Sequence, residues 1–339
     1  MIVVSQARVA LFGATGAVGV EMLKILEERD FPVGELRLLA SHGGRTAVWR
    51  GQEHPVEAVG ADSFRDIDLA LFAVDGDVSR AWAPEAVRSG AVVIDNSSAF
   101  RMDDAVPLVI PEVNPEDIDA HKGIVANPNC STIIALVALH PLHRAAGIRR
   151  LIASTYQAVS GAGKAGLEEL QDQTRAWVRG EAPKVSAFAY PIAFNLIPHI
   201  DAFTENGYTK EELKMRNESR KILHAPELRV SCTCVRVPVL RSHSEALTIE
   251  TERPLTPDEA RELLRNAPGV KVVDEPSLKR YPMPLDTSGQ DLIYAGRIRV
   301  DESAEGNGLV LWVCGDQIRK GAATNAVQIA EAVWRKRAR

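Results

Sequence analysis

Apolar positions along the chain follow two rhythms, one before residue 130 and another after it. Residues 8–12 form a β-type run, Gly13 to Gly19 a glycine-rich turn, and residues 20–29 a helical pattern. Further strands are predicted at 36–40, 69–74, 92–95 and 108–110, with helix-like stretches between some of them. Strands alternating with helices in this way imply an α/β fold built on a doubly wound parallel sheet. A short apolar strand at 123–126 then leads through Pro128 and Asn129 into the apolar run 133–139, long enough for a buried helix.

Beyond Cys130 the texture is α+β. A strand is predicted at 151–157, an amphipathic helix at 164–179 and a second helix at 210–223. Long strands follow at 229–238, 245–252, 293–300 and 309–314, expected to pair antiparallel. Residues 256–266 read as a helix capped by Thr256 with Pro257 in its first position. Residues 276–289 read as an ordered loop, and 322–336 as a C-terminal helix. No internal repeat or low-complexity segment interrupts the pattern.

With 339 residues, two domains are the expectation. A 45% hydrophobic and 25% charged composition is ordinary for globular chains. The net charge of −5 gives no reason to expect nucleic acid or an anionic membrane as partner. There is no long uninterrupted apolar stretch, and the N-terminus runs straight into a strand, so neither a membrane span nor a leader is expected. Four cysteines in a chain this long do not make a disulfide framework, and a reducing cytoplasm fits them best.

The glycine turn carries the first candidate chemistry. Gly13, Gly16 and Gly19, with Thr15, Ala17 and Val18 between them, would let backbone approach a pyrophosphate at a helix N-terminus. The spacing is GxxGxxG, not the usual GxGxxG. The second strand ends in Ser41 and His42 without an acidic residue for a ribose 2′-hydroxyl, and Arg45 is near, which favours NADP over NAD.

Cys130 carries the second. At a helix start, unpaired N–H groups and the helix dipole favour a thiolate and could hold an oxyanion. The same residue taken alone also reads as a small buried hydrophobe. Cys232 and Cys234 alternate on one strand with no matching ligand pair nearby, so they read as core and no metal is expected. Arg236 shares a face with Val230, Cys232 and Cys234, and an arginine on an apolar face needs a partner. Glu211 and Lys214 share a helix face, where a solvated ion pair is the plain interpretation. His199, in an Ile-Pro-His-Ile setting, reads as structural; His140, His143 and His224 lie at helix ends, where capping accounts for them.

Together with the segment Asn127-Pro128-Asn129-Cys130-Ser131-Thr132, these motifs resemble the aspartate-β-semialdehyde dehydrogenase family over essentially the whole chain. The resemblance extends through Asp95-Asn-Ser-Ser-Ala-Phe-Arg101, Tyr156-Gln157-Ala-Val-Ser160-Gly-Ala-Gly163, Cys234-Val-Arg236, Ser242-His243-Ser-Glu245 and Gly315-Asp-Gln317. It implies reduction of L-aspartyl 4-phosphate by NADPH to aspartate 4-semialdehyde and phosphate, on the route to lysine, methionine and threonine. It implies Cys130 as nucleophile, His243 as acid–base and Gln157 at the substrate. Arg236 would take the α-carboxylate and Glu211 the α-ammonium. Arg101 and Lys214 are the phosphate candidates, and Asn129 would also touch substrate. Ser160, Gly161 and Gln317 would join Ser41, His42 and the glycine turn around the cofactor.

The resemblance further implies a Rossmann-type nucleotide domain of residues 1–129 completed by 318–339, and a catalytic domain of 130–317 that makes a homodimer. One stretch departs from the pattern. The family's usual Ser-x-Arg-Ser-Ala-Gly-Lys is here Ser41-His42-Gly43-Gly44-Arg45-Thr46, as though two residues were deleted, which leaves relaxed use of NAD open. The related N-acetyl-γ-glutamyl-phosphate reductases usually read Pro-Gly-Cys-Tyr at the cysteine, unlike this chain. Non-catalytic relatives tend to lose the cysteine or histidine, and both are kept here.

Overall fold

The computed structural model describes residues 6–337. The chain divides into two compact units, one of residues 1–129 with 322–339, the other of 130–321.

The first unit runs β1 (Ala7–Phe12), α1 (Ala17–Glu28), β2 (Val33–Ala40), β3 (Arg45–Trp49), β4 (Gln52–Ala58), β5 (Leu69–Phe72), α2 (Gly76–Arg88), β6 (Val92–Asp95) and β7 (Ile124–Ala126). They form one sheet in the order β3-β4-β2-β1-β5-β6-β7, parallel except for the β3/β4 hairpin. Val9 and Leu11 of β1 pack on one face with Met22, Ile25 and Leu26 of α1; Ala10 and Phe12 pack on the other with Phe72, Ala83 and Ala86. Burial on both faces is why these strands read as continuous apolar runs. The expected strand at 108–110 is only a bridge from Leu108 to Ala126. Pro107 and Pro111 bracket those three residues, and the Ile110 N–H goes to Asn114 Oδ1, so no ladder can extend.

The second unit comprises α3 (Cys130–Ala146), β8 (Ile148–Ala158), α4 (Gly163–Val178), α5 (Lys210–Ile222), β9 (Arg229–Val237), β10 (His243–Thr251), α6 (Pro257–Arg265), β11 (Val270–Val272), α7 (Pro284–Thr287), β12 (Ile293–Val300) and β13 (Gly308–Gly315). Its sheet runs β11-β12-β13-β10-β8-β9. The long strands are not all antiparallel as expected: β9 lies parallel to β8, because α4 and α5 intervene as a crossover. Leu247, Ile249, Leu311, Val313 and Ala153 line the buried face, on which α3 packs. On the opposite face Ile152, Ser154, Ala246, Thr248 and Val310 are half-buried, and Tyr156 meets Trp312 at 5.3 Å between ring centroids.

The last helix, α8 (Thr324–Arg337), buries Ala326, Val327, Ile329, Ala330, Val333 and Trp334 in the first unit's core. Among the described residues no helix is long and apolar enough to cross a membrane.

Candidate active site

The nucleotide half sits where the order of the first sheet reverses, between β1 and β5, the usual ligand crevice of such sheets. Gly13 has φ +93°, and a Cβ there would stand 2.2 Å from the Ala73 carbonyl oxygen just past β5. A Cβ on Gly19 would stand 2.2 Å from Gly13 O, so the turn closes only with glycine at both positions. The cap of α1 is Gly16, which has no side chain to satisfy the helix N–H groups, and the first turn carries no acidic residue. Gly16 and Ala17 are exposed. Such a cradle fits a pyrophosphate. Ser41 and His42 are exposed just beyond β2, and Arg45 opens β3.

Asp95 at the end of β6 is fully buried and accepts from Ser79 Oγ and Ser97 Oγ, each at 2.7 Å, which fixes the turn at 96–98. Arg101 donates to the carbonyls of Asn127 at 2.9 Å and Asn96 at 2.7 Å. Asn127 is held in turn by Asn96 Oδ1 and Asn325 Nδ2. The guanidinium is therefore locked beside the Asn-Pro-Asn turn, and Asn129 is buried there.

The residues expected to do the chemistry lie in the second unit. α3 begins at Cys130, which is half-exposed. A Cβ on Gly321 would lie 3.0 Å from Cys130 Cβ, so the turn before α8 passes tight against the thiol's residue. Strand register sets Arg236 of β9 opposite Gln157 of β8, and the antiparallel β8/β10 register runs out at His243. Alternation then turns all three side chains to the buried face.

Their hydrogen bonds fix orientation. The Ala158 N–H donates to His243 Nδ1 at 3.0 Å, so in the neutral ring the proton lies on Nε2. Gln157 Nε2 lies 3.5 Å from His243 Nε2 and donates to Glu211 Oε1 at 3.1 Å, while Thr155 Oγ1 donates to Gln157 Oε1 at 3.0 Å. Arg236 Nη1 donates to Ala158 O at 2.8 Å. Complete burial, aided by the Arg236 charge, pushes His243 well below its usual range and keeps it neutral.

Glu211 and Lys214 are more than a solvated surface pair. Glu211 is buried at 7% exposure and accepts from Lys214 Nζ at 2.9 Å; Asp201 accepts from the same ammonium at 2.9 Å. Burial opposes the lysine's charge, but the two carboxylates outweigh it and raise its pKa. A cavity of about 380 Å³ opens beside Arg236, lined also by Phe188, Ile197, His199 and Asp201. His199 stacks on Phe203 at 4.4 Å, so its ring is held by packing while its residue lines this cavity.

Ser160 and Gln317, both expected at the cofactor, bond to one another, and Gln317 Oε1 also accepts from the Ser242 N–H at 2.8 Å. Gly161 packs against Arg236 and His243: a Cβ there would fall 2.7 Å from Arg236 Nη1 and 3.2 Å from His243 Cε1. Neither Thr155 nor Asp201 stands out in the sequence. Alternation from Gln157 would have reached Thr155; Asp201, in a loop, left no periodic signal.

A dinucleotide cradle on one unit and a cysteine with a neutral, oriented imidazole on the other suit a thiol-dependent oxidoreductase. The family model "Semialdehyde dehydrogenase, NAD binding domain" matches residues 8–121, and "Semialdehyde dehydrogenase, dimerisation domain" matches 139–320. The aspartate-semialdehyde dehydrogenase of Aquifex aeolicus is 56% identical, over 96% of this chain and 97% of its own. The crystal structure of aspartate semialdehyde dehydrogenase II from Vibrio cholerae complexed with ASA superposes with a TM-score of 0.95 at 47% identity, covering 98% of this chain and 99% of that one. The Candida albicans enzyme with NADP gives 0.75 at 25% identity, covering 99% and 100%. The chain belongs to the aspartate-semialdehyde dehydrogenase family.

Proposed function

We propose that the protein reduces L-aspartyl 4-phosphate to L-aspartate 4-semialdehyde with NADPH, in the cytoplasmic synthesis of lysine, methionine and threonine. The observation that carries the reading is the oriented set Arg236, Gln157 and His243 on one sheet face, with Ala158 fixing the histidine tautomer. Cys130 attacks the acyl phosphate, and collapse expels phosphate to leave a thioester on sulfur. When bound, NADPH supplies the hydride that reduces this thioester. The alkoxide of the tetrahedral species accepts a hydrogen bond from His243 Nε2–H, and its collapse to the aldehyde expels the Cys130 thiolate, so the imidazole ends the cycle neutral as it began it. Gln157 directs its amide N–H toward the reacting carbonyl.

Arg236 binds the substrate α-carboxylate through its planar fork. Glu211 and Asp201 share one lysine, so the group carries an excess negative charge that the substrate ammonium offsets. Arg101, Lys214 and Asn129 recognise the phosphate side. The glycine turn, Ser41 and His42 bind the dinucleotide; Ser160, Gly161 and Gln317 complete its nicotinamide end. The second unit pairs with another copy of the chain, which would cover the half-buried sheet face bearing Tyr156 and Trp312.

The test is phosphate-dependent oxidation of aspartate 4-semialdehyde, run with NADP⁺ and NAD⁺ in parallel. Activity that requires phosphate and is faster with NADP⁺ is expected. Comparable rates with NAD⁺ would assign a cost to the shortened 41–46 segment. Turnover of only the N-acetylglutamyl analogue would overturn the substrate.

A further inference from the structure

Two residues beyond His243 on β10, on the same face, lies a carboxyl group that the mechanism does not use. Glu245 is fully buried, and neither of its oxygens has a hydrogen-bond partner. The titratable group acting on it is Cys234 of β9; Cys232, Cys314 of β13, His243 and Glu212 lie around it, and among the described residues no arginine or lysine acts on it to balance a charge. An ionised carboxylate there would be uncompensated, so the group is the neutral acid; burial drives it well above the ordinary carboxylate range. A neutral acid still carries a proton it must donate, and leaving that donor unmet costs free energy.

The register names the acceptor. Glu245 stands directly opposite Thr155 of β8, and both side chains point to the buried face one row behind Gln157 and His243. Opposed residues on one sheet face have their Cβ atoms about 5 Å apart, well within reach of a glutamate. Thr155 is itself fully buried, and its hydroxyl hydrogen is committed to Gln157 Oε1, which leaves the oxygen's lone pairs as acceptors. Gln157 passes the order on through its amide to Glu211.

We propose that Glu245 is a positioning residue: as a neutral acid it donates toward Thr155 Oγ1 through one bridging water. The relay Glu245→Thr155→Gln157→Glu211 then fixes which end of the Gln157 amide is turned to the reacting carbonyl. If the relay is broken, the threonine hydroxyl can rotate and the amide can flip, presenting oxygen where an N–H is needed. The inference rests on Gln157 and His243 being the catalytic pair.

Glu245→Met, Glu245→Gln and Thr155→Val in the full-length enzyme test it, with kcat, KM and Tm measured on each. Glu245→Met exchanges the buried acid for an apolar side chain of similar length, so Tm should change little while kcat falls about 10- to 100-fold, the cost typical of a misplaced catalytic group. Glu245→Gln keeps a neutral donor and should restore most of kcat. Thr155→Val should match Glu245→Met, and the two losses should not add. A merely packed side chain would predict full activity for Glu245→Met. Wild-type kcat in that variant, or Glu245→Gln as slow as Glu245→Met, overturns the proposal. Should Glu245→Met fail to fold, wild-type kcat in Thr155→Val does so instead. Gln157→Ala serves as the separate control: wild-type rate there refutes the catalytic pair itself, whatever the Glu245 variants do.

Discussion

The backbone N–H of Ala158 points at Nδ1 of His243 from 3.0 Å, on the strand that also carries Gln157. A main-chain donor cannot change roles, so the ring's exchangeable proton is confined to Nε2, the nitrogen nearest the Gln157 amide. One strand thus sets the tautomer of the His243 ring and supplies the amide beside it.

His243→Asn should lower kcat by about two to four decades with little change in NADP⁺ binding. Burial and Arg236 both lower the histidine's pKa, so it loses its basic form only well below pH 6.5. The acid limb of kcat/KM for semialdehyde oxidation should therefore lie below that pH and disappear in the variant. A limb centred at or above pH 6.5, unchanged by the substitution, would move the acid–base role elsewhere.

Gly161→Ala is expected to damage function more than folding. Its methyl would meet Arg236 Nη1 at 2.7 Å, the far end of a long side chain, and the His243 ring at 3.2 Å. The guanidinium can yield, but only by leaving Ala158 O and the carboxylate position. KM for semialdehyde should rise with Tm little changed. An unaltered KM would place the substrate carboxylate away from Arg236.

Glu245 makes a prediction about stability and pH. Its pKa in the folded chain is raised above the ordinary value of 4.5. Below pH 4.5 the group is protonated in both folded and unfolded states and costs nothing. As pH rises past that value the unfolded chain ionises while the folded one cannot, so stability is lost progressively up to the folded pKa. Glu245→Gln should thus raise Tm more at pH 8 than at pH 5. An equal shift at both would mean the carboxyl is ionised in the folded protein.

Elements whose burial is periodic were legible before the structure. Strand alternation placed Arg236 with Cys232 and Cys234, and the helix period put Glu211 beside Lys214. The burial that makes that pair more than a surface ion pair was not legible, because Asp201, its third member, comes from a loop. The hairpin of β3 and β4 leaves little apolar rhythm in the sequence because both strands, at the margin of the sheet, are largely exposed. The relation of Glu245 to Thr155 needed register, and register depends on which strands neighbour one another, a nonlocal fact.

The most direct test of the account is to trap the acyl enzyme. Incubating the protein with aspartate 4-semialdehyde and NADP⁺ without phosphate should oxidise the thiohemiacetal on Cys130 to a thioester that has no phosphate to discharge it. Intact-mass and peptide analysis should then find one aspartyl group on the Cys130 peptide, one NADPH formed with it, and release of the group when phosphate is added. Cys130→Ala should show none of this. An aspartyl adduct on another residue, or phosphate-dependent turnover in Cys130→Ala, would contradict the account.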